Sequence, residues 1–453
     1  MKKVHIISIG GAVMHNIAIQ LLRQGFQVTG SDDILFDPSL SRLKKVGLCP
    51  DKTGWDPERI TPDLDFVIVG MHARPDNPEL IRAKELGLTI HSFPSYVSSR
   101  SKDQTRIVVA GSHGKTTTAS MVVHLMQQMG ECTDHLIGAK MEGVDDIVTF
   151  DGCPYFVLEG DEYPSSAVDS RPKFLHYDPD FLILTGIAWD HMNVFPTYNQ
   201  YCEAFRTLLK SLRPECVVIY NGFDPEVVRL IKEIKPENAI PYQVVDFEIV
   251  DGVVVIEGQH PLKIIGRHNV ENLTAALTLC EQLGLDREGL LKAAETFSGS
   301  SRRLELLLQS DRGKVYIDFA HAPSKVQASV RAIRELHPGT PLIAALELHT
   351  YSSLNKGFLP EYAGALDLAD QAIVMFDPQI VANKKMEVLD DDDIKRSFGR
   401  KDLIVVHHRD ELEEALDFSL EKQRGAPVNV LLMTSGAFGG FDVKKKLEKV
   451  WDL

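Results

Sequence analysis

Short apolar runs closed by glycine alternate with stretches of helical periodicity along most of this chain. Val4–Ile9 reads as a buried strand, Gly10-Gly11 as a turn, and Ile17–Arg23 as a helix stopped at Gly25. Phe26–Thr29 and Asp65–Val69 continue as strands, and Pro78–Leu86 as a helix ended by Gly87. Strand, turn, helix, strand in this rhythm predicts a parallel sheet with crossover helices. The alternation resumes with strands predicted at 106–110, 155–159, 181–186 and 216–220, and helices at 117–129, 199–212 and 269–283. A Val- and Ile-rich stretch, 242–265, has Gly252 and Gly258 as turns and predicts a small antiparallel excursion. Further strands are expected at 314–318, 342–346, 371–375, 403–406 and 428–433.

Two polar breaks divide this pattern. Ser98–Thr105 has linker composition, and Ser298-Gly299-Ser300-Ser301 precedes the last α/β stretch. The expected division is 1–103, 104–299 and 300–453, which suits a 453-residue chain at ~150 residues per domain. The predicted class is α/β in three domains: Rossmann-like, then a P-loop ATPase-like parallel sheet carrying the excursion, then Rossmann-like again. Asp390–Asp393 reads as a solvated loop or helix start rather than a metal site.

Composition narrows the possibilities. At 44% hydrophobic and 25% charged the chain can bury a large core, which excludes a mainly disordered protein. A net charge of −15 argues against a protein built to grip nucleic acid or an anionic membrane. The apolar runs fall far short of the ~20 residues a bilayer requires. Met1-Lys2-Lys3 and the short run after it read as a first strand rather than a signal peptide. Six cysteines without a C-x-x-C pair predict a reduced, cytoplasmic protein with no disulfide framework.

Candidate chemistry centres on Gly111-Ser112-His113-Gly114-Lys115-Thr116-Thr117-Thr118, between a predicted strand and helix. Such a loop turns backbone N–H groups toward an anion, and the helix adds its positive end. Lys115 would reach the terminal phosphates of a nucleoside triphosphate, and the Thr116 hydroxyl would sit on Mg2+. Val109 stands where the common P-loop has its first glycine. Phe156–Glu162 predicts a buried strand ending in carboxylates, and Phe181–Ile187 is followed by Trp189-Asp190-His191. The ends of parallel strands are where open α/β sheets bind ligands, and Mg2+ needs only one or two carboxylates. Glu159 as part of a solvated acidic loop is an equal alternative, and His191 becomes a candidate ligand only beside Thr116 and Glu159. The Gly10-Gly11 turn, with Asp32 after the next strand, suits either a phosphate-bearing ligand or tight packing. Gly266–Asn272 opens a helix with Asn269 and Asn272 one turn apart, suited to a base edge, although Asn269 as a helix cap is an equal reading. Arg302-Arg303 lies at the second break, and Asp318 and His321 end a strand of the third unit.

Together these motifs resemble the Mur ligase family, whose members form amide bonds with ATP. The resemblance spans nearly the whole chain, with the motifs in the family's order. It implies a UDP-sugar domain, an ATP domain and an acceptor domain in turn, with ATP and Mg2+ as cofactors. It implies nucleotide contacts at Gly111, Ser112, His113, Gly114, Lys115, Thr116, Thr117, Asn269, Asn272, Arg303 and Asp318. Metal ligands would be Thr116, Glu159 and His191, and Lys115, His191 and Arg303 would be catalytic. Substrate contacts are expected at Gly10, Gly11, Met14, Asp32, His72, Asn77, His321 and His349. Arg171–Tyr177, Asp318–His321 and Ser435–Gly440 resemble members that join UDP-N-acetylmuramate to L-alanyl-γ-D-glutamyl-meso-diaminopimelate in peptidoglycan recycling. Members that add L-alanine alone are the alternative, and a non-catalytic nucleotide switch is a reading of another class. Three departures stand out. Ser8 occupies a usual glycine position, Arg206 stands where some members carry a carbamoylated lysine, and Glu347-Leu-His349-Thr350 replaces Glu-Pro-Arg-Ser.

Overall fold

The computed structural model describes residues 1–71, 73–140, 146–166, 168–299, 303–423 and 426–451. Its three parallel or mostly parallel sheets follow the three stretches of sequence alternation. The first has four parallel strands in the order Gln27–Ser31, Lys3–Ile7, Phe66–Val69 and Thr89–Ser92. The central sheet has six parallel strands: Asn238–Tyr242, Val217–Asn221, Phe181–Leu184, Thr105–Ala110, Tyr155–Gly160 and Thr133–Leu136. Thr105–Ala110 lies between strands reached by connections on opposite sides, so its end opens at a switch in strand order, where a ligand crevice forms. The predicted excursion is a three-stranded antiparallel sheet, Phe247–Val250, Val253–Ile256 and His260–Leu262.

The third sheet orders Glu305–Ser310, Gly313–Asp318, Asn429–Met433, Leu342–Leu348, Gln371–Phe376 and Ile404–Val406. Its first pair is antiparallel and the remainder parallel. All seven residues of Leu342–Leu348 are buried, as expected for a strand covered on both faces.

The units share apolar cores. One cluster runs from Ile6 and Tyr96 of the first sheet's layer to Phe150 and Phe156 of the central one. Trp189, Met192 and Ile249 from the central stretch pack onto the core of the third.

Several local expectations are corrected. The first strand ends at Ile7, because Ser8 takes a positive φ of 67° in the turn. That left-handed region favours glycine, which explains why glycine is usual there. Ser98–Thr105 is not a free linker. The helix Phe93–Arg100, capped by Ser92, runs into it, and the Arg106 guanidinium donates to the carbonyls of Ser101, Tyr177 and Ser98 at 3.1–3.4 Å. Cys132 and Cys153 form a disulfide, against the expectation of free thiols throughout; Cys49, Cys202, Cys216 and Cys280 are free. The bond joins the turn after the helix Lys115–Gln128 to the segment before the strand Tyr155–Gly160, a proximity that Cys spacing alone does not reveal. Asp390 caps the helix Asp391–Phe398 through a capping box, so the acidic run is a helix start.

Leu346 is fully buried in the third sheet. Leu346→Ala should destabilise the protein by about 2–5 kcal/mol, through lost burial and a residual cavity. Urea denaturation of the variant against the parent measures this directly.

Candidate functional site

The strand Thr105–Ala110 delivers the glycine-rich loop, and the helix Lys115–Gln128 begins directly after it. Gly114, the residue before the helix, has φ +77°, and a Cβ there would lie 2.3 Å from Asn272 Oδ1. A Cβ on Gly111, at φ +135°, would lie 2.2 Å from Thr185 Oγ1. Both positions therefore require glycine, and the loop keeps its backbone open to a ligand.

Lys115 Nζ donates to the Gly111 carbonyl at 2.6 Å and to Glu162 Oε2 at 2.8 Å. Burial opposes the ionisation of Glu162, but the Lys115 ammonium, with His191 beyond it, holds its carboxyl far below the usual range. Burial likewise opposes charge on Lys115, and Glu162, Asp161 and Glu159 overcome it, leaving its pKa raised. The Tyr201 hydroxyl donates to Glu162 Oε1 at 2.9 Å and accepts from Ser112 Oγ at 2.7 Å, which itself accepts from the Ala188 N–H. A fully buried acid thus fixes both the lysine and the loop serine.

Thr116 Oγ1 donates to Glu159 Oε1 at 2.8 Å, and Glu159 Oε2 accepts from the Gly138 N–H at 2.7 Å. His191, at φ +58°, lies with Nε2 3.4 Å from Glu162 Oε1. The expected metal set is therefore divided: Thr116 and Glu159 are together, whereas His191 faces Glu162. No cluster of three or more His, Cys, Asp or Glu side chains poised for a metal occurs among the described residues. The oxygen pair Thr116–Glu159 nevertheless fits a hard cation that keeps most of its water and takes phosphate oxygens.

Two adjoining cavities meet at the loop. One, about 230 Å3, is lined by Lys115, Thr116, Glu159, Asp161, Lys173 and His321, with Val13 and Phe93 from the first unit. The other, about 220 Å3, is lined by Asn221, Asn269, Asn272, Asp318 and Tyr242, among others. The helix Arg267–Gln282 positions Asn272 Nδ2 3.3 Å from Asn269 Oδ1, and Asn269 Nδ2 donates to the Ile265 carbonyl at 2.8 Å. The cap reading of Asn269 does not hold, since Gly266 stands before the helix. Asp318 accepts from the Leu304 N–H at 3.3 Å and from the Ser329 hydroxyl, and the Arg303 guanidinium lies 5.1 Å above the Phe319 ring. The third unit closes on the loop through Ser324 Oγ, 2.6 Å from His113 Nε2. Burial, then Lys325, pushes His113 down to about 3 and His321 to about 4.

Asp32 Oδ2 accepts from the Gly10 N–H at 2.7 Å, so it braces the turn, and burial pushes its carboxyl up to about 6. Gly11 stands before the helix Ala12–Arg23, and Met14 is buried in it. Asn77 Oδ1 caps the helix Pro78–Glu85 by accepting from Glu79 and Leu80, and the structure does not bring it to either cavity. His349 lies against Gly436, also away from both. His72 lies outside the described residues. Arg206 pairs with Glu203 and, at 2.8 Å, with Glu233. Sequence reading missed Glu162, Tyr201, Asp161, Lys173 and Lys325. The carboxylate run Glu159–Glu162 carried a signal for Glu162, but strand alternation alone does not say which acid turns inward.

The Mur ligase family catalytic domain matches residues 3–104, the Mur ligase middle domain 109–280, and the Mur ligase glutamate ligase domain 302–436. A UDP-N-acetylmuramate–L-alanine ligase of Kineococcus radiotolerans is 30% identical over 82% of this chain and 81% of its own length. The chain belongs to the Mur ligase family. It is accordingly an ATP-dependent amide-bond-forming ligase, and the nucleotide-switch reading is set aside. A UDP-N-acetylmuramate–L-alanyl-γ-D-glutamyl-meso-2,6-diaminoheptandioate ligase of Haemophilus influenzae is 26% identical over 98% of both chains. The fold is shared with a UDP-N-acetylmuramate-alanine ligase of Thermotoga maritima, at a TM-score of 0.71 and 22% identity over the full length of both. No helix among the described residues is long and apolar enough to cross a membrane.

The buried, uncharged His321 has a consequence for acid stability. The unfolded chain takes up its proton below about pH 6.5, while the folded form resists until about 4. Stability should therefore fall as pH drops from about 6.5 to 4, by up to about 1.4 kcal/mol per pH unit from this group. Urea unfolding at pH 7 and 5 should show a correspondingly shallower loss in His321→Gln.

Proposed function

We propose that this Mur ligase joins UDP-N-acetylmuramate to L-alanyl-γ-D-glutamyl-meso-diaminopimelate, cleaving ATP to ADP and phosphate, in cytoplasmic recycling of cell-wall peptide. The observation that carries the reading is the meeting of two cavities at one phosphate loop, with Lys115, Thr116 and Glu159 facing Arg303 and His321 of the third unit. The segments Arg171–Tyr177, Asp318–His321 and Ser435–Gly440 support the tripeptide. So does the Haemophilus influenzae relative, which acts by name on that acceptor and aligns along nearly the whole chain. The 30% identity to an L-alanine ligase supports a second reading, in which L-alanine is the acceptor.

In this proposal the first unit holds the UDP-sugar at the Gly10-Gly11 turn, residues 104–299 hold ATP, and 300–453 present the acceptor. Asn269 and Asn272 face the base, and the loop amides with Lys115 face the phosphates. Thr116 and Glu159 would hold Mg2+, which would neutralise phosphate charge and polarise the γ-phosphoryl group. Carboxylate and triphosphate are both anionic, so their approach is limited by repulsion, and Lys115 and Arg303 lower it. A muramyl carboxylate oxygen attacks the γ-phosphorus, and the bond to the β-bridging oxygen breaks with its electron pair on ADP. The amine of the acceptor then attacks the carbonyl, loses a proton and expels phosphate. The third unit, packed over the cleft, keeps water from the mixed anhydride.

Product formation with the tripeptide should exceed that with L-alanine at equal UDP-N-acetylmuramate, measured by mass spectrometry across an acceptor panel. The reverse order would replace the first reading by the second. Oxygen-18 from the muramyl carboxylate should appear in the released phosphate; its absence would remove the acyl-phosphate route. Lys115→Ala should lower turnover by about 1,000-fold while far-UV circular dichroism persists, with a reduced thermal midpoint because Glu162 is left buried without its closest cation.

A further inference from the structure

The two cavities share five lining residues: His113, Gly114, Thr117, Arg303 and Lys325. Lys325 is in the first turn of the helix Pro323–Leu336, so the third unit brings its ammonium to the point where nucleotide and carboxylate cavities join. The side chain is only 19% exposed. The other buried lysines of the cleft have close carboxylate partners: Lys115 has Glu162 at 2.8 Å, and Lys173 has Asp161. Lys325 differs. Its closest carboxylate among the described residues is Asp190, whose Oδ2 is 3.6 Å away, beyond a good hydrogen bond. That Oδ2 is itself buried with no hydrogen-bond partner. A pair set this loosely orients an ammonium without saturating it, and a desolvated ammonium with free donors is completed by an anion.

The geometry points to Lys325 as a further catalytic residue, contacting the phosphoryl group in transit, with Asp190 as its positioning residue. This deepens the ligase reading above and rests on it. As the carboxylate oxygen bonds to the γ-phosphorus and the bond to ADP breaks, charge spreads over the three equatorial phosphoryl oxygens. Lys325 donates to one of them and keeps its proton throughout, so the step needs no further co-reactant. Asp190 stands next to His191 on a loop that also packs on the third unit, through Trp189 against Phe358 at 5.6 Å and Ser352 Oγ accepting from the Met192 N–H at 3.2 Å. The lysine is thus aimed only when that packing is formed.

The test uses the full chain and follows ADP release dependent on UDP-N-acetylmuramate, with Lys325→Met, Lys325→Arg, Asp190→Asn and the Asp190→Asn/Lys325→Met double variant. Lys325→Met should lower kcat by about 100–1,000-fold with KM for ATP changed less than about threefold, and Lys325→Arg should recover at least about tenfold of that loss. Asp190→Asn should cost about tenfold alone and almost nothing further in the Lys325→Met background. Thermal midpoints identify any variant that fails to fold, in which case Lys325→Arg against the parent carries the comparison, with a loss of about tenfold expected. Parent-like kcat in Lys325→Met would overturn the lysine's role while leaving the ligase reading intact. Equal losses from Asp190→Asn in both backgrounds would overturn the positioning role. A parent enzyme that releases no ADP in response to UDP-N-acetylmuramate would overturn the underlying reading, and this inference with it.

Discussion

A lysine ammonium held against a fully buried glutamate, at the end of a parallel strand, is the constraint on which the site depends. Lys115 and Glu162 each suffer from burial, and each is stabilised as an ion by the other. Tyr201 completes the hydrogen bonding of Glu162 and extends it to Ser112 of the loop. Charge, loop shape and strand position are therefore one arrangement. Loss of either ion leaves the other without its closest counter-charge in a place where water cannot solvate it.

Around that pair the three units supply different kinds of group. The central sheet contributes backbone amides and oxygen donors, which tolerate a highly charged ligand. The third unit contributes Arg303, His321 and Lys325, which face the loop across the cleft. The first contributes Val13 and Phe93, apolar wall residues of the cavity that Lys115 and Thr116 also line. Cations and dry walls in one cleft suit a reaction between two anions whose product would be destroyed by water.

Much of this was legible in the chain. Glycine positions, strand patterning and the order Gly-Lys-Thr, carboxylate run, Asp-His specified the central sheet and its loop, because each rests on local periodicity and turn chemistry. What was hidden depends on contacts between distant segments. Glu162 and Glu159 are three residues apart, and only the folded strand end shows that one meets Lys115 and the other Thr116. Asn77 carried the polar amide expected of a ligand contact, yet it is spent on two backbone N–H groups of its own helix. The edge strands Thr133–Leu136 and Asn238–Tyr242 and the antiparallel Glu305–Ser310 carry no clear strand pattern, since short edges owe their conformation to a neighbour rather than to their own pattern. The pairing of Cys132 with Cys153 is hidden for the same reason.

The loop carrying Asp190 and His191 belongs to the central stretch by chain order, but Trp189 and Met192 pack into the core of the third unit. The seam between these units therefore does not coincide with any single point along the polypeptide. A chimera made by exchanging everything after residue 299 for the matching part of a relative would leave the indole of Trp189 facing a foreign surface. Such grafts need to carry the 189–192 loop along with the transplanted portion.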